Sequence, residues 1–134
     1  MNILYVNKVE WYSVETLSFT LSNGEYCTAG SQKVIKSHKF DPNKKITKVE
    51  CIFEKTGYGF LQINFYSGQE TLVQVGASDD RVIKRYGGRV EIFEIEDDEQ
   101  LDANLCLSLI IAIILPVLLG SNGNAHSCLE FTRS

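Results

Sequence analysis

The chain has 134 residues, of which 44% are hydrophobic and 22% charged, and its formal net charge is −4. This length predicts a single domain, and the balance of apolar and charged residues excludes an intrinsically disordered chain. The net negative charge argues against a nucleic-acid-binding protein. The first residues lack the basic and apolar regions of a secretory signal peptide. The four cysteines are therefore expected to be free thiols in a reducing compartment.

Charged residues are unevenly distributed along the chain. Six lysines and one aspartate lie between residues 33 and 48, and seven acids without a base lie between residues 91 and 102. Both runs are typical of solvated faces. The alternative is that the lysines form a basic patch for an anionic partner.

Alternating apolar residues predict antiparallel strands over residues 1–101. In Thr16–Leu21 the apolar side chains share one face, and Asn23-Gly24 predicts a hairpin to a return strand at Glu25–Ala29. Further strands are predicted at Ile46–Phe53, Phe60–Tyr66, Thr71–Val75 and Val90–Ile95. The expected inward residues are Leu17, Phe19 and Leu21; Ile46, Val49, Cys51 and Phe53; Leu61, Ile63 and Phe65; and Val90, Ile92 and Ile95. No helical period is found before residue 102.

Three similar triplets indicate an internal repeat. Lys8-Val9-Glu10, Lys48-Val49-Glu50 and Arg89-Val90-Glu91 are 40 and 41 residues apart, and each is expected to open a unit of antiparallel strands. After the first two triplets, Leu17–Leu21 is aligned with Leu61–Phe65. The alternative is that all-β sheets share turn spacings without any repeat.

A threefold repeat of short antiparallel sheets resembles the β-prism fold of jacalin-like lectins. The similar segments, all within residues 5–101, are Val49–Phe53 followed by Leu61–Gly68, and Gly87-Gly88 followed by Val90–Ile95 and Glu99-Gln100-Leu101. The resemblance implies an antiparallel β-prism that binds carbohydrate. A β-sandwich-like domain is the alternative all-β architecture. Sugar sites in that family use an N-terminal glycine and a late loop with Gly and Asp four residues apart. No aspartate follows Asp102, so no sugar-binding residue is transferred to this chain.

A longer set of residues is similar to a group of uncharacterised ciliate proteins. It comprises Lys36-Ser37-His38, Phe40–Thr47, Ile63–Tyr66, Arg85–Ile95 and Asp98–Leu101. In that group the chain continues with another polar-patterned strand region, whereas here Asp102 leads into an apolar run. The resemblance implies no activity, and an altered gene end is one explanation of the departure.

The C-terminal part of the chain is strongly apolar. Leu105–Gly120 has 16 residues and no charge, while a membrane-spanning helix needs about 20. The segment is interpreted as a membrane anchor, as a helix buried on the sheet, or as buried strands. The chain is thus divided into an all-β domain at 1–102, a hydrophobic segment at 103–120 and a short polar tail at 121–134. An anchor predicts a tail-anchored protein with a cytosol-facing domain, and a buried segment predicts a cytoplasmic one.

No catalytic, cofactor-binding or metal-binding constellation is found, so no site residue, ligand-binding residue or cofactor is predicted. Cys27, Cys51, Cys106 and Cys128 have no CxxC spacing, and His38 and His126 add no metal pattern. A Cys/His nucleophile pair with His38 has no supporting sequence context. The acids Glu94 and Glu96–Glu99 lack the spacing of a calcium loop, and Asp79-Asp80 is expected in a turn. The aromatic side chains considered for stacking on a sugar or partner are Trp11, Tyr12, Tyr58 and Tyr86.

The sequence therefore predicts a non-enzymatic binding or interaction module with an unknown protein or glycan partner, without nucleic acid. Membrane contact through Leu105–Gly120 is a further expectation. The alternative function is a soluble carbohydrate-binding domain of β-prism type. A small hydrolase on a β scaffold is a third hypothesis, which requires Asp, Glu, His or Cys side chains clustered around a cleft.

Overall fold

The computed structural model describes residues 6–14, 16–30, 33–56 and 59–95. The strands are β1 (Val6–Tyr12), β2 (Thr16–Leu21), β3 (Tyr26–Ala29), β4 (Lys36–Lys39), β5 (Lys48–Glu54), β6 (Phe60–Ser67), β7 (Glu70–Gly76) and β8 (Gly87–Glu94). A short helix, α1 (Asp80–Tyr86), lies between β7 and β8. Every strand pair is antiparallel. The all-β class predicted from the alternation is confirmed.

The strands form two four-stranded sheets with the same order, β3-β2-β1-β4 and β7-β6-β5-β8. In each sheet three consecutive strands form a meander, and the fourth returns to pair with the first. This is the Greek-key arrangement. Lys8-Val9-Glu10 lies in β1 and Lys48-Val49-Glu50 in β5, so the first two triplets occupy the same strand of each sheet. The topology agrees with a repeat of two units.

The prediction that Arg89-Val90-Glu91 opens a third unit is wrong. This triplet lies in β8, which pairs with β5 and completes the second sheet. The predicted phase of the strand is also wrong, because Val90 and Ile92 are 50% and 54% exposed. Phe93 packs against the core and Ile95 is buried, as predicted for Ile95. Side chains of a strand alternate between faces, so placing Phe93 inward turns Val90 and Ile92 outward.

One hydrophobic core takes side chains from both sheets. The inward residues predicted for the strands at 16–21, 46–53 and 60–66 are all buried. Phe65 of β6 joins the two sheets: its ring lies edge-on to Phe19 of β2 at 6.0 Å and is 5.3 Å from the ring of Phe40. Burying a phenylalanine side chain stabilises a fold by about 1.5–3 kcal/mol.

The helix α1 contradicts the expectation that no helix precedes residue 102. Asp79 caps its N-terminus by accepting a hydrogen bond from the Arg81 N–H at 2.9 Å. Lys84 and Arg85 lie in the last turn, where positive charge interacts favourably with the helix dipole. Asp79-Asp80 therefore begins a helix. Its seven residues are too few to show an amphipathic period in the sequence.

Among the residues described, no helix is both long and apolar enough to cross a bilayer. The predicted segments 103–120 and 121–134 lie outside the described residues. The prediction of an anchor at Leu105–Gly120 therefore stays a prediction.

Candidate functional site

The outer face of the first sheet carries most of its polar side chains. The cross-strand register arranges them in two neighbouring rows, Tyr26–Thr20–Lys8 and Thr28–Ser18–Glu10. The hydroxyl residues Thr16, Ser18 and Thr20 alternate along β2 with the core residues Leu17, Phe19 and Leu21. The pattern that fixes the core therefore also fixes a hydroxyl-rich outer face.

An open cavity of about 450 Å³, here called the trough, lies on this face. Its floor includes the short side chains Ser18 and Thr20 of β2, and longer side chains stand on either side: Tyr26 of β3, and Lys8 and Glu10 of β1. Adjacent strands are about 4.8 Å apart, so short side chains between longer ones leave a depression. The sequence of β2 thus produces the trough.

The trough presents hydroxyl groups, an aromatic ring and an ion pair. Ser18 Oγ and Thr28 Oγ1 are 3.0 Å apart and share a hydrogen bond. Lys8 Nζ lies 3.3 Å from Glu10 Oε1. Tyr26 is 38% exposed, which leaves its ring accessible from solvent. Hydroxyl, ammonium and carboxylate groups bind polar ligands by hydrogen bonding, and an exposed tyrosine ring adds an apolar stacking surface.

The second sheet repeats this plan on its own outer face. Glu50 of β5 lies opposite Asn64 of β6, and Lys48 lies opposite Tyr66. In the first sheet the corresponding glutamate and lysine of β1 lie opposite Ser18 and a threonine of β2. Asparagine and tyrosine therefore stand in the second sheet where the first has two short hydroxyl residues.

The register corrects the predicted alignment of the repeat. Glu10 faces Ser18 and Glu50 faces Asn64, so Ser18 corresponds to Asn64. Leu17–Leu21 therefore corresponds to residues 63–67. The predicted alignment with Leu61–Phe65 is wrong by two residues. The predicted alignment still assigned each side chain to the correct face of the sheet, because two residues are one full period of a strand.

Hydrogen bonds connect polar side chains on the second outer face. Asn64 Nδ2 donates to Glu50 Oε1 and to Gln62 Oε1, both at 2.9 Å. Gln62 Nε2 donates to the Ala77 carbonyl oxygen at 2.8 Å, and the Tyr66 hydroxyl donates to Glu50 Oε1 at 3.3 Å. Gln62 and Asn64 are only 5% and 4% exposed. We call Glu50, Gln62, Asn64 and Tyr66 the amide cluster.

Electrostatics in the amide cluster follow from its burial. Burial raises the pKa of the Tyr66 hydroxyl, and the charge of Glu50 and its hydrogen bond with Tyr66 raise that pKa further. The Lys48 ammonium lies 4.4 Å from the centre of the Tyr66 ring, a cation–π distance. Asn64 Oδ1 is buried and accepts no hydrogen bond from the part of the chain that the structure describes.

His38, considered as part of a Cys/His nucleophile pair, and the core cysteine Cys51 lie in different sheets. Cys51 is buried in β5. Burial and the nearby charge of Glu91 raise the pKa of its thiol to about 12, although Arg89 acts in the opposite direction. The thiol is therefore protonated at neutral pH. His38 lies in β4 with its ring edge-on to Phe40 at 5.0 Å, and burial lowers the pKa of this histidine.

Of the aromatic residues singled out by the sequence, Trp11, Tyr12 and Tyr86 do not line the trough. Trp11 is buried in the core, Tyr12 is half-buried, and Tyr86 is 45% exposed at the end of α1. Tyr58 lies outside the described residues. Sequence reasoning missed Tyr26, which the hairpin register brings opposite a floor residue of the trough. The signal was the Asn23-Gly24 turn, which fixes that register.

The structure divides the lysine run between the two sheets. Lys36 and Lys39 are exposed in β4 of the first sheet, while Lys44 pairs with Glu70 at 2.8 Å. Lys48 belongs to the second sheet. The alternative of a single basic patch therefore loses support.

The acidic run contributes Glu91 and Glu94 to β8, and Glu96–Glu99 lie outside the described residues. Within the described part of the chain, no three His, Cys, Asp or Glu side chains converge on a position for a metal ion.

Comparisons of the chain with protein-family models, with curated proteins and with solved structures found no significant match. Function must then be argued from sites. The trough is the candidate binding site because it is an open cavity lined by polar side chains, whereas Asn64 and Tyr66 bond to Glu50 at the equivalent positions of the second sheet.

Proposed function

We propose that this domain is a non-enzymatic binding module and that the trough holds its ligand. One observation carries the proposal: at equivalent positions the first sheet has short hydroxyl residues beside an open cavity, and the second sheet has longer side chains joined by hydrogen bonds. In the second sheet Asn64 and Tyr66 each donate a hydrogen bond to Glu50. In the first sheet Ser18 and Thr20 leave an open cavity of about 450 Å³. Concave sites with a few convergent polar groups are the usual binding sites of proteins.

The lining of the trough favours binding over catalysis. The Ser18 hydroxyl shares its hydrogen bond with the Thr28 hydroxyl, and a nucleophilic serine would need a base in that position. Lys8 Nζ lies 3.3 Å from Glu10 Oε1, so the ammonium group is engaged in an ion pair. These groups can bind and orient a ligand, but they do not form a nucleophile with its base.

A saccharide is the ligand class that best suits the lining, which makes a carbohydrate-binding domain the second candidate function. The exposed ring of Tyr26 can stack on the apolar C–H face of a sugar. Ser18, Thr28 and Glu10 offer donors and acceptors to its hydroxyl groups. Because the cavity is open and shallow, we expect dissociation constants of about 1 mM for single sugars.

Tyr26→Ala is expected to weaken saccharide binding by about tenfold or more, because the stacking surface is lost. Ser18→Asn copies the second sheet and is expected to abolish binding, since its amide would fill the trough and bond to Glu10. The measurement is a two-dimensional amide NMR titration of the full chain with neutral and acidic monosaccharides at up to about 10 mM. Gln74→Ala, on the outer face of the second sheet, is the control that should bind as the parent does.

Two results would contradict these proposals. If no saccharide in the panel shifts the resonances of β1, β2 or β3, the carbohydrate candidate is excluded. If shifts appear but cluster around the amide cluster, the trough is not the ligand site.

The proposed architecture of the full chain is a β-prism. Its support is that the two sheets have the same Greek-key order, as two faces of a prism would. Because all the strands of the described residues belong to the first two sheets, a third four-stranded sheet would need residues 96–134. A crystal structure of the full chain that shows such a sheet would agree with the prism and would exclude Leu105–Gly120 as a membrane anchor. A core closed by two sheets alone would reject it in favour of the β-sandwich.

The proposed location is a membrane, with Leu105–Gly120 as the anchor and the β domain facing the cytosol. The alternative is that this segment is buried in the protein, which would make the protein cytoplasmic. Ile110→Arg together with Ile114→Arg is expected to remove the full chain from membranes, because each arginine at the centre of a span costs about 2.5–3.5 kcal/mol. Flotation with membranes in a density gradient measures the effect, and Asn124→Arg is the control. A parent chain that does not float with membranes would reject the anchor.

A further inference from the structure

The edge strands of the two sheets differ in how they are protected. β3 is short, with four residues, and β4 carries the exposed lysines Lys36 and Lys39. Short edges and edge lysines prevent pairing with other chains. β8 has eight residues, and no strand within the described residues pairs with its second edge. Its outer side chains Val90 and Ile92 are 50% and 54% exposed, so β8 can pair with a further strand.

The backbone groups that such pairing needs belong to Val90 and Ile92. Ile95 donates its N–H toward β5, to the Thr47 carbonyl oxygen at 2.9 Å. In an antiparallel ladder the direction of these groups alternates from residue to residue. Glu91 and Phe93 therefore also face β5, while the N–H and C=O groups of Val90 and Ile92 face the open edge.

The charges on β8 select its partner. Arg89 and Glu91 lie on the opposite face from Val90, with Arg89 Nε 3.3 Å from Glu91 Oε1, and their side chains remain 60% and 37% exposed. When two β8 strands pair antiparallel about Val90, Arg89 of each copy lies opposite Glu91 of the other. Pairing about Glu91 would instead place two carboxylates opposite each other, which is unfavourable.

We propose that two copies of this chain pair along β8, centred on Val90, and join their second sheets into one continuous sheet. The pairing forms backbone hydrogen bonds at Val90 and two cross-strand ion pairs between Arg89 and Glu91. Val90 and Ile92 of the two copies then form one apolar patch across the symmetry axis. Charged side chains on this edge disfavour unrelated strands but are complementary to a second copy. This surface is separate from the trough, so the proposal does not rest on the ligand.

Complementary charge variants test the pairing directly. Glu91→Arg and Arg89→Glu each turn two attractive pairs into two repulsive ones, so each is expected to raise the dimer dissociation constant about tenfold or more. An equimolar mixture of the two variants restores both intermolecular pairs and should dimerise within about threefold of the parent. The pair within one chain is broken in both variants and in the mixture. Recovery in the mixture can therefore come only from contacts between copies.

The measurement is sedimentation equilibrium of the full chain, whose monomer mass is 15.1 kDa, with native mass spectrometry to identify the mixed dimer. Because pairing through one strand buries a small surface, concentrations should extend to about 500 µM. Val90→Lys places two ammonium groups at the symmetry axis without touching the core and is expected to give a monomer. Gln74→Lys, on the outer face of the opposite edge strand, is the matched control.

A parent chain that remains at monomer mass over this range overturns the proposal. So does a mixture that dimerises no better than either charge variant alone. If Val90→Lys dimerises as well as Gln74→Lys, any dimer forms through another surface, and β8 is not the interface.

Discussion

Replacing Phe65 by alanine is expected to lower the free energy of unfolding by about 3–5 kcal/mol. Phe65 is fully buried and contacts the rings of Phe19 and Phe40. The substitution removes contacts from both sheets and leaves a cavity where they meet. A domain of this size has a total stability of about 5–15 kcal/mol, so the loss is a large fraction of it. Urea unfolding followed by the fluorescence of Trp11, the single tryptophan and a buried core residue, measures the change.

Phe93→Ala is the matched control for this prediction. Phe65 of β6 and Phe93 of β8 both lie opposite Val49, on either side of β5. Phe93 is only partly buried at the margin of the core, so its truncation is expected to cost less than half as much. Equal losses for the two variants would contradict the larger contribution to stability that is expected of Phe65. The urea dependence of the unfolding free energy should stay the same, since neither variant changes the surface exposed on unfolding.

Alternation in the sequence was sufficient where apolar residues occupy one phase only. In Thr16–Leu21 and in residues 61–65 every second residue is apolar and buried. The strand at 90–95 was ambiguous, because Val90 and Ile92 are apolar in one phase and Phe93 and Ile95 in the other. The aromatic phase reaches the core. Arg89 then lies over the Phe53 ring at 4.3 Å, which lets a charged residue occupy the inner face at the sheet edge.

Two elements left no recognisable pattern in the sequence. β4 consists of Lys36-Ser37-His38-Lys39 and has no apolar alternation. It is specified by its pairing with β1, which only the folded chain shows. The helix α1 is too short for a period, and its capping residue Asp79 was interpreted as part of a turn. The strand β4 thus depends on long-range pairing and the helix α1 on local capping, and neither is visible in the composition of its segment.

The candidate site was only partly accessible from the sequence. The hydroxyl phase of β2 was visible, and it forms part of the floor of the trough. That face is identified as a candidate site by comparing it with the second sheet, where Asn64 occupies the position of Ser18. This correspondence follows from the register and not from the order of residues.

Asn64→Asp is expected to lower the free energy of unfolding by about 3–5 kcal/mol at pH 7, although the two side chains have nearly the same shape. The Asn64 amide donates to Glu50 Oε1 and Gln62 Oε1, and an aspartate would place an anion against both acceptors. Gln62 cannot turn to help without losing the hydrogen bond from its Nε2 to the Ala77 carbonyl. The new carboxylate is thus buried beside the carboxylate of Glu50 without a donor. Urea unfolding at pH 7 measures this loss.

The same variant should show an inverted pH dependence. Burial and the neighbouring Glu50 raise the pKa of the introduced carboxyl group in the folded state above its unfolded value. Between the two values the folded state binds more protons than the unfolded state, so stability falls as pH rises through this window. Below the unfolded pKa the group is neutral in both states, and its hydroxyl can donate to Glu50. Unfolding curves between about pH 5 and pH 8 measure the slope relative to the parent.

Gln74→Glu separates the effect of burial from that of charge. Gln74 is the cross-strand neighbour of Asn64 on β7, it is exposed, and it undergoes the same change from amide to carboxylate. Its glutamate remains solvated and is expected to change stability by no more than about 0.5 kcal/mol, with no added pH slope. Equal losses at the two positions would mean that the amide cluster does not stabilise the second sheet. In that case the closed outer face could not serve as the reference that identifies the trough as an open site.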